Sequence, residues 1–219
     1  MQRPIHGWSL YVITDERLSG GRSHQEIAEA AVRGGADVIQ LRDKWAGSRR
    51  LYQVALDLIR RLRPNGVPLV INDRLDIALA ASADGLHVGQ EDLPAPVVRQ
   101  FWPAPRLLGV SAGTVEEAIR AEQEGADYIG VGPIFEARST KPDAGEPVGP
   151  EFLHRIRQNC SLPIVAIGGI TAGNVEEVIE AGADCVAVIS AVVAAPDIEA
   201  AARELKEKIV ATKERLGRA

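Results

Sequence analysis

Eight short runs rich in Val, Ile and Leu alternate with eight longer Ala/Glu/Arg-rich segments of helical period, from one end of the chain to the other. Apolar runs of this length read as buried strands, and the longer amphipathic segments read as helices. The pattern predicts strands at 9–15, 36–43, 67–72, 85–89, 107–111, 128–132, 163–168 and 185–190. Helices are predicted near 24–34, 48–63, 74–82, 95–102, 114–125, 149–159, 174–182 and 197–215. A degenerate repeat marks the junctions: "GGAD" at Gly34, "SAD" at Ser82, "EGAD" at Glu124 and "AGAD" at Ala181 each fall between a helix and the next strand. There Gly supplies a left-handed helix cap and Asp occupies the tight turn that follows.

Eight βα units in 219 residues fit one α/β domain, a single (β/α)8 TIM barrel spanning 1–219. A doubly wound open sheet normally uses fewer strands and carries a Gly-rich nucleotide turn after the first, whereas this first strand ends in "VITDERLSGG". With 46% hydrophobic and 25% charged residues the chain can bury a full core, and its net charge of -5 argues against a general nucleic-acid surface. Its longest apolar run, 185–195, is too short to span a bilayer, and the first 15 residues lack the apolar core of a signal peptide. Cys160 and Cys185 have neither metal nor redox spacing and read as core residues of a reducing compartment. The expectation is a cytoplasmic protein without nucleic-acid or membrane partners. Nothing in the sequence argues for or against a homo-oligomer.

In such a barrel chemistry belongs at the carboxyl ends of the strands. The second strand ends in "IQLRDK", where a period of two places Gln40, Arg42 and Lys44 toward the mouth and Leu41 toward the helices. Cations in a barrel interior need an anionic partner. After the third strand, Asn72 can donate to or accept from a ligand, and Asp73 can either hold a hard metal or cap the next helix. After the fourth comes "HVGQEDL", with Asp92. Two carboxylates brought within ~4 Å would repel by roughly 4 kcal/mol near a surface, which a divalent cation would relieve. The expected cation is Mg2+, which bridges carboxylates to a diphosphate. His87 reads as a core or barrel-lining residue, because no histidine falls at zinc spacing.

Ser111, in "GVSAGT" after the fifth strand, has no nearby histidine in sequence and reads as a hydrogen-bonding group rather than a nucleophile. The seventh and eighth strands end in "AIGGIT" and "AVISAV". Gly168 and Gly169 either permit a tight turn or, with Ile189 and Ser190, bring backbone N–H groups onto a phosphate. The loop after strand six, "GPIFEARSTKPDAG", carries Arg138, Ser139, Thr140 and Lys141, which alone are as consistent with a solvated loop as with an anion cradle.

Taken in order, "QLRDK", "IND", "HVGQEDL", "GVSAGT", "GPIF...STKPDAG", "AIGGIT" and "VISA" resemble thiamine-phosphate synthases, also called thiamine-phosphate pyrophosphorylases. The resemblance runs from Leu10 to about Ala194. It implies a barrel enzyme that joins two small phosphorylated substrates, 4-amino-5-hydroxymethyl-2-methylpyrimidine diphosphate and hydroxyethylthiazole phosphate, to give thiamine phosphate and pyrophosphate with Mg2+. It assigns Gln40, Arg42, Lys44, Asn72, Ser111 and Lys141 to the pyrimidine diphosphate, with Leu41 and Asp43 in the same substrate-binding run. Arg42, Lys44, Ser111 and Lys141 are its catalytic set, and Asp73 and Asp92 its metal ligands. Arg138, Ser139, Thr140, Gly169, Ile189 and Ser190 would hold the thiazole phosphate, making the loop after strand six a phosphate clamp.

Two departures stand out. Gly113 occupies the position where the family often has His, and "EARSTK" is one residue longer than the family's loop, placing Arg138 where its first Thr would stand. A related thiazole tautomerase on the same barrel ranks second, because a metal-diphosphate site has no use there. A noncatalytic phosphate-binding regulatory barrel ranks third.

Overall fold

The computed structural model describes residue 5, residues 7–137 and residues 145–218. Strands β1 (Leu10–Thr14), β2 (Val38–Leu41), β3 (Leu69–Asn72), β4 (Gly85–Val88), β5 (Leu107–Ala112), β6 (Tyr128–Val131), β7 (Ile164–Ile167) and β8 (Cys185–Val188) form a closed parallel barrel in sequence order. β8 returns to β1 with Leu10 opposite Val186. The outer helices are α1 (His24–Arg33), α2 (Ser48–Leu62), α3 (Leu75–Ala81), α4 (Ala95–Phe101), α5 (Val115–Gln123), α6 (Glu151–Asn159), α7 (Val175–Glu180) and α9 (Ile198–Arg215). A short α8 (Ser190–Val193), which the sequence pattern does not separate from the eighth strand, starts two residues after β8. Several strands are shorter than predicted at both ends, because the Ala-Asp turns and the polar residues at the mouth lie outside the ladder.

Alternation within each strand divides the apolar residues into two cores. Leu10, Val12, Ile39, Leu41, Ile71 and Leu86 face the helices, whereas Tyr11, Ile13, Val38, Val70, Tyr128, Val165 and Cys185 fill the barrel. Trp8 packs edge-on against both Tyr11 and Tyr128, with centroids 6.1 and 6.2 Å apart. Gly109 makes room for this cluster, since a Cβ there would lie 2.1 Å from the Tyr128 ring. Both cysteines are free and buried, as their apolar settings imply.

The repeated Asp does more than sit in a turn. Asp37 accepts from the backbone N–H of Ser9 and Leu10 at 2.7 and 2.9 Å, Asp84 from Leu69 at 2.9 Å, Asp127 from Leu108 at 2.8 Å and Asp184 from Ile164 at 2.8 Å. Each Asp thus binds the start of the strand one unit earlier, tying β1 to β2, β3 to β4, β5 to β6 and β7 to β8. These N–H groups start their strands and would otherwise lack partners. Asp37 is also held by Lys206 at 2.6 Å. Asp37→Ala is expected to lower stability by about 3 kcal/mol, since charge-assisted bonds of this kind contribute about 1.5–3 kcal/mol each. Urea unfolding checks this, and a loss below half that value would mean that water replaces the carboxylate.

A wide depression of about 840 Å3 lies at this end of the barrel, lined by Trp8, Asp37, Asp84 and Arg106. Both of its acids are engaged with strand amides, so this end carries stability rather than chemistry.

Candidate active site

The opposite end holds a cavity of about 460 Å3 whose floor is the top of the inner core, Tyr11, Ile13, Tyr128, Val165, Ile167 and Ala187. Its walls carry Gln40, Arg42, Lys44, Asn72, Asp73, Asp92, Ser111, Gly169, Ile189 and Ser190, all drawn from strand ends and the loops that follow them. Two members of the substrate-binding run do not join them. Leu41 is 1% exposed within the helix-side core. Asp43 turns away from the cavity and accepts from the backbone N–H of Trp45 and Ala46 at 2.9 and 3.0 Å. Alternation within β2 turns Leu41 to the helices, and Asp43 is drawn into the turn that follows the strand.

Arg42 is paired with Asp15 at 3.2 Å, and both side chains are largely buried. Asp15 closes β1 in "VITD" and was open to the same strand-end reasoning as Arg42. Lys44 lies 3.9 Å from Asp73. Asp73 adopts a left-handed backbone, φ 61°, which is costly for a residue with a Cβ and is often found where the surroundings fix a functional group. Its N–H is held by the carbonyl of His87 at 2.8 Å. Burial, then the charge of Asp92 beside it, push the Asp73 carboxyl up to about 6, against the pull of Lys44 and Arg42. Asp92 is fixed by the N–H of Gly89 at 2.7 Å. Two crowded carboxylates of this kind form a donor set that suits a hard divalent cation.

The inner polar residues form one chain. Gln40 donates to Tyr11 Oη at 2.7 Å, the Tyr11 and Tyr128 hydroxyls are 3.1 Å apart, Tyr128 Oη is 3.1 Å from His87 Nδ1, and His87 Nε2 is 3.0 Å from Ser111 Oγ. Burial pushes both tyrosines well above the ordinary phenol range, so they remain phenols. With the Gln40 amide as donor, each hydroxyl passes its proton along the chain to His87 Nδ1. His87 Nε2–H then donates to Ser111, whose own hydroxyl proton is left for the cavity. The histidine absent near Ser111 in sequence is therefore supplied by the adjacent strand, as a barrel-lining donor rather than a base. A Cβ on Gly130 would come within 3.0 Å of its ring. Near the departure at Gly113, Gln90 donates to the Ser111 carbonyl at 2.6 Å and is held by Arg120 at 2.9 Å.

Gly168 and Gly169 have φ 101° and 65°, so the tight-turn role expected of them is real. They also carry the loop after β6. Ile134 and Phe135 donate to the carbonyls of Ile167 and Gly168, both at 2.9 Å, and the returning chain is pinned by Val148 and Gly149 on Pro133 and Ile134 at 2.9 and 3.0 Å. Glu136 and Ala137 line the cavity. Arg138, Ser139, Thr140 and Lys141 lie outside the described residues, between two stems that are fixed at the mouth.

The family model described as thiamine monophosphate synthase matches residues 10–192. The chain belongs to the thiamine monophosphate synthase family. Among its relatives in that family is a thiamine-phosphate synthase of Chloroflexus aurantiacus, 53% identical over 96% of this chain and 97% of that protein. Another, from Methanocella arvoryzae, is 52% identical over 91% of this chain and 93% of its own. A solved thiamine phosphate pyrophosphorylase from Pyrococcus furiosus superposes with a TM-score of 0.87 at 39% identity, covering 95% and 98% of the two chains. The barrel with its cavity at the carboxyl ends of the strands is therefore the family's fold.

Proposed function

We propose that the cavity joins a pyrimidine diphosphate to a thiazole phosphate by a dissociative, Mg2+-assisted transfer. The chain is a thiamine-phosphate synthase, a transferase. The observation that carries the mechanism is the pairing of Asp73 with Asp92 beside Lys44 and Arg42, at the rim of a cavity whose one imidazole is engaged at both nitrogens. Such a site neutralises a leaving diphosphate and has little use for general-base chemistry.

In this reading the bond between the pyrimidine methylene carbon and the diphosphate oxygen breaks first, and the electron pair leaves with pyrophosphate. The thiazole nitrogen then donates its lone pair to the methylene cation, giving the thiazolium of thiamine phosphate. No proton need be removed. Arg42 and Lys44 hold the diphosphate oxygens, and the family resemblance adds Lys141. Asp15 fixes the Arg42 side chain, and Gln40, Asn72 and Ser111 meet the polar edge of the pyrimidine. Asp73 and Asp92 would hold Mg2+, which when bound supplies positive charge to the departing diphosphate. The apolar floor keeps water from the cation. Gly169, Ile189 and Ser190 hold the thiazole phosphate where loops after the last two strands of a barrel commonly bind one. The family resemblance adds Arg138, Ser139 and Thr140 to this phosphate site.

A cytoplasmic location goes with the two free, buried cysteines. Among the described residues, no helix is long and apolar enough to cross a membrane.

Incubation with both substrates and Mg2+ is expected to yield pyrophosphate and thiamine phosphate in equal amounts. Appearance of neither while both substrates bind would contradict the proposal. Isomerisation of the thiazole without any pyrimidine would select a tautomerase instead.

A further inference from the structure

A second group of potential ligands lies outside the cavity, behind Arg42. His24, the first residue of α1, is 1% exposed, and its ring faces Glu16 from the loop after β1 and Asp43 from the turn after β2. One ligand atom from each of the three lies within 4.8 Å of the others. The hydroxyl of Thr14 lies 2.7 Å from Nδ1, so that ring nitrogen is engaged.

Nε2 is buried and has no hydrogen-bond partner. It points instead at two carboxylate oxygens, Asp43 Oδ2 at 3.5 Å and Glu16 Oε1 at 4.0 Å. Two carboxylate oxygens and a ring nitrogen that face one another call for a positive charge between them. Both separations are too long for an N–H···O hydrogen bond. They approach the edge of a tetrahedron around an ion bound at about 2.0–2.2 Å, which is roughly 3.4 Å. Burial raises the Asp43 carboxyl, but the backbone N–H groups of Trp45 and Ala46 help hold it below its usual range. Arg50 engages the other Glu16 oxygen at 2.7 Å, and the backbone N–H of His24 donates to Oε1 at 3.1 Å, which holds it inward. A small surface pocket of about 250 Å3, between Glu16, Asp43 and Arg50, leaves room for a water on the fourth side.

We propose that Glu16, His24 and Asp43 bind a divalent transition-metal ion, Zn2+ or a close analogue, as a clamp between the loops after β1 and β2. One imidazole and two carboxylates favour such an ion over Mg2+, which prefers an all-oxygen shell. The site is separate from the Asp73–Asp92 pair, which follows β3 and β4. Because Glu16 follows Asp15 and Asp43 follows Arg42, an ion here stiffens the Asp15–Arg42 pair at the cavity mouth. No short sequence motif announces it, since the ligands come from residues 16, 24 and 43.

Titration of metal-free protein with Co2+, followed by visible absorption, tests the site. One equivalent with the intense bands of tetrahedral Co2+ is expected, bleached on adding Zn2+ and retained in Asp92→Asn. The bands should vanish in His24→Ala and weaken by more than about tenfold in affinity in Glu16→Gln. Glu16→Gln keeps an acceptor for the backbone N–H of His24 and decides the matter if His24→Ala does not fold. Absence of such bands at millimolar Co2+, or bands unchanged in both variants, would overturn the assignment.

Discussion

Asp92→Asn is expected to lower kcat/KM roughly 10^2–10^3-fold, the range seen when one preorganised electrostatic group is removed from a developing charge. The same change should flatten the dependence of rate on Mg2+ and weaken diphosphate binding, because one of the two proposed carboxylate ligands is gone. Metal-free stability should move the other way. Asp73 is raised to about 6 in the folded protein, from 3.8, by burial and by the charge of Asp92. A carboxyl raised on folding binds more protons in the native state between those two values. Its contribution to stability therefore falls as pH rises from about 4 to about 6 and stays lost above that. Removing the Asp92 charge relieves this, and after allowance for solvent screening the gain at pH 7.5 is on the order of 1 kcal/mol. Thermal melting in chelator, with and without the substitution, measures it. Unchanged activity and an unchanged Mg2+ response would remove Asp92 from the site. For the same reason, half-saturation by Mg2+ should need more metal at pH 5.5 than at pH 7.5, since the cation must displace the Asp73 proton.

Gly168→Ala is expected to destabilise the protein by about 3 kcal/mol and to cost activity on the order of 100-fold. The backbone at 168 has φ 101°, and an added Cβ would lie 2.5 Å from Pro133 Cα. Left-handed strain of about 1–2 kcal/mol adds to an overpacking cost of about 1–3 kcal/mol. Relief of the clash moves Pro133 and Ile134, the stem of the loop after β6, and displacement by an ångström is enough to misplace a substrate contact. Urea unfolding and kcat/KM for the thiazole phosphate read the two effects. A variant within 0.5 kcal/mol of the parent, with full activity, would show that the loop after β6 is not supported on the Gly168–Gly169 turn.

Much of this molecule is visible in its sequence because its strands and helices have different periods. The eight βα units, the inward set Gln40, Arg42 and Lys44, and the convergence of Asp73 with Asp92 all follow from alternation and from the rule that barrel chemistry lies at strand ends. What alternation cannot convey is contact between strands. His87 is opposite Gly109 in the β4–β5 register, and only because residue 109 lacks a side chain does the ring reach Ser111 and Tyr128. Asp37, Asp84, Asp127 and Asp184 read as turn residues, yet they bind the start of the preceding strand, which no local pattern encodes. The short α8 escaped notice because Ile189 and Ser190 continue the apolar run of β8. Leu41 and Asp43 were carried into the site by a run of neighbours, although Leu41 belongs to the outer core and Asp43 to a turn.

The central claim is that the Asp73–Asp92 pair, with Lys44 and Arg42, forms one site for a metal and a diphosphate. Calorimetric titration of the pyrimidine diphosphate, with and without Mg2+ and in the absence of the thiazole phosphate, tests it most directly. Mg2+ is predicted to tighten diphosphate binding by about 10–100-fold, a coupling of about 1.4–2.8 kcal/mol that disappears in the Asp73→Asn, Asp92→Asn double variant. Diphosphate binding that is equally tight with and without Mg2+ in the parent protein, or a coupling that survives loss of both carboxylates, would contradict it.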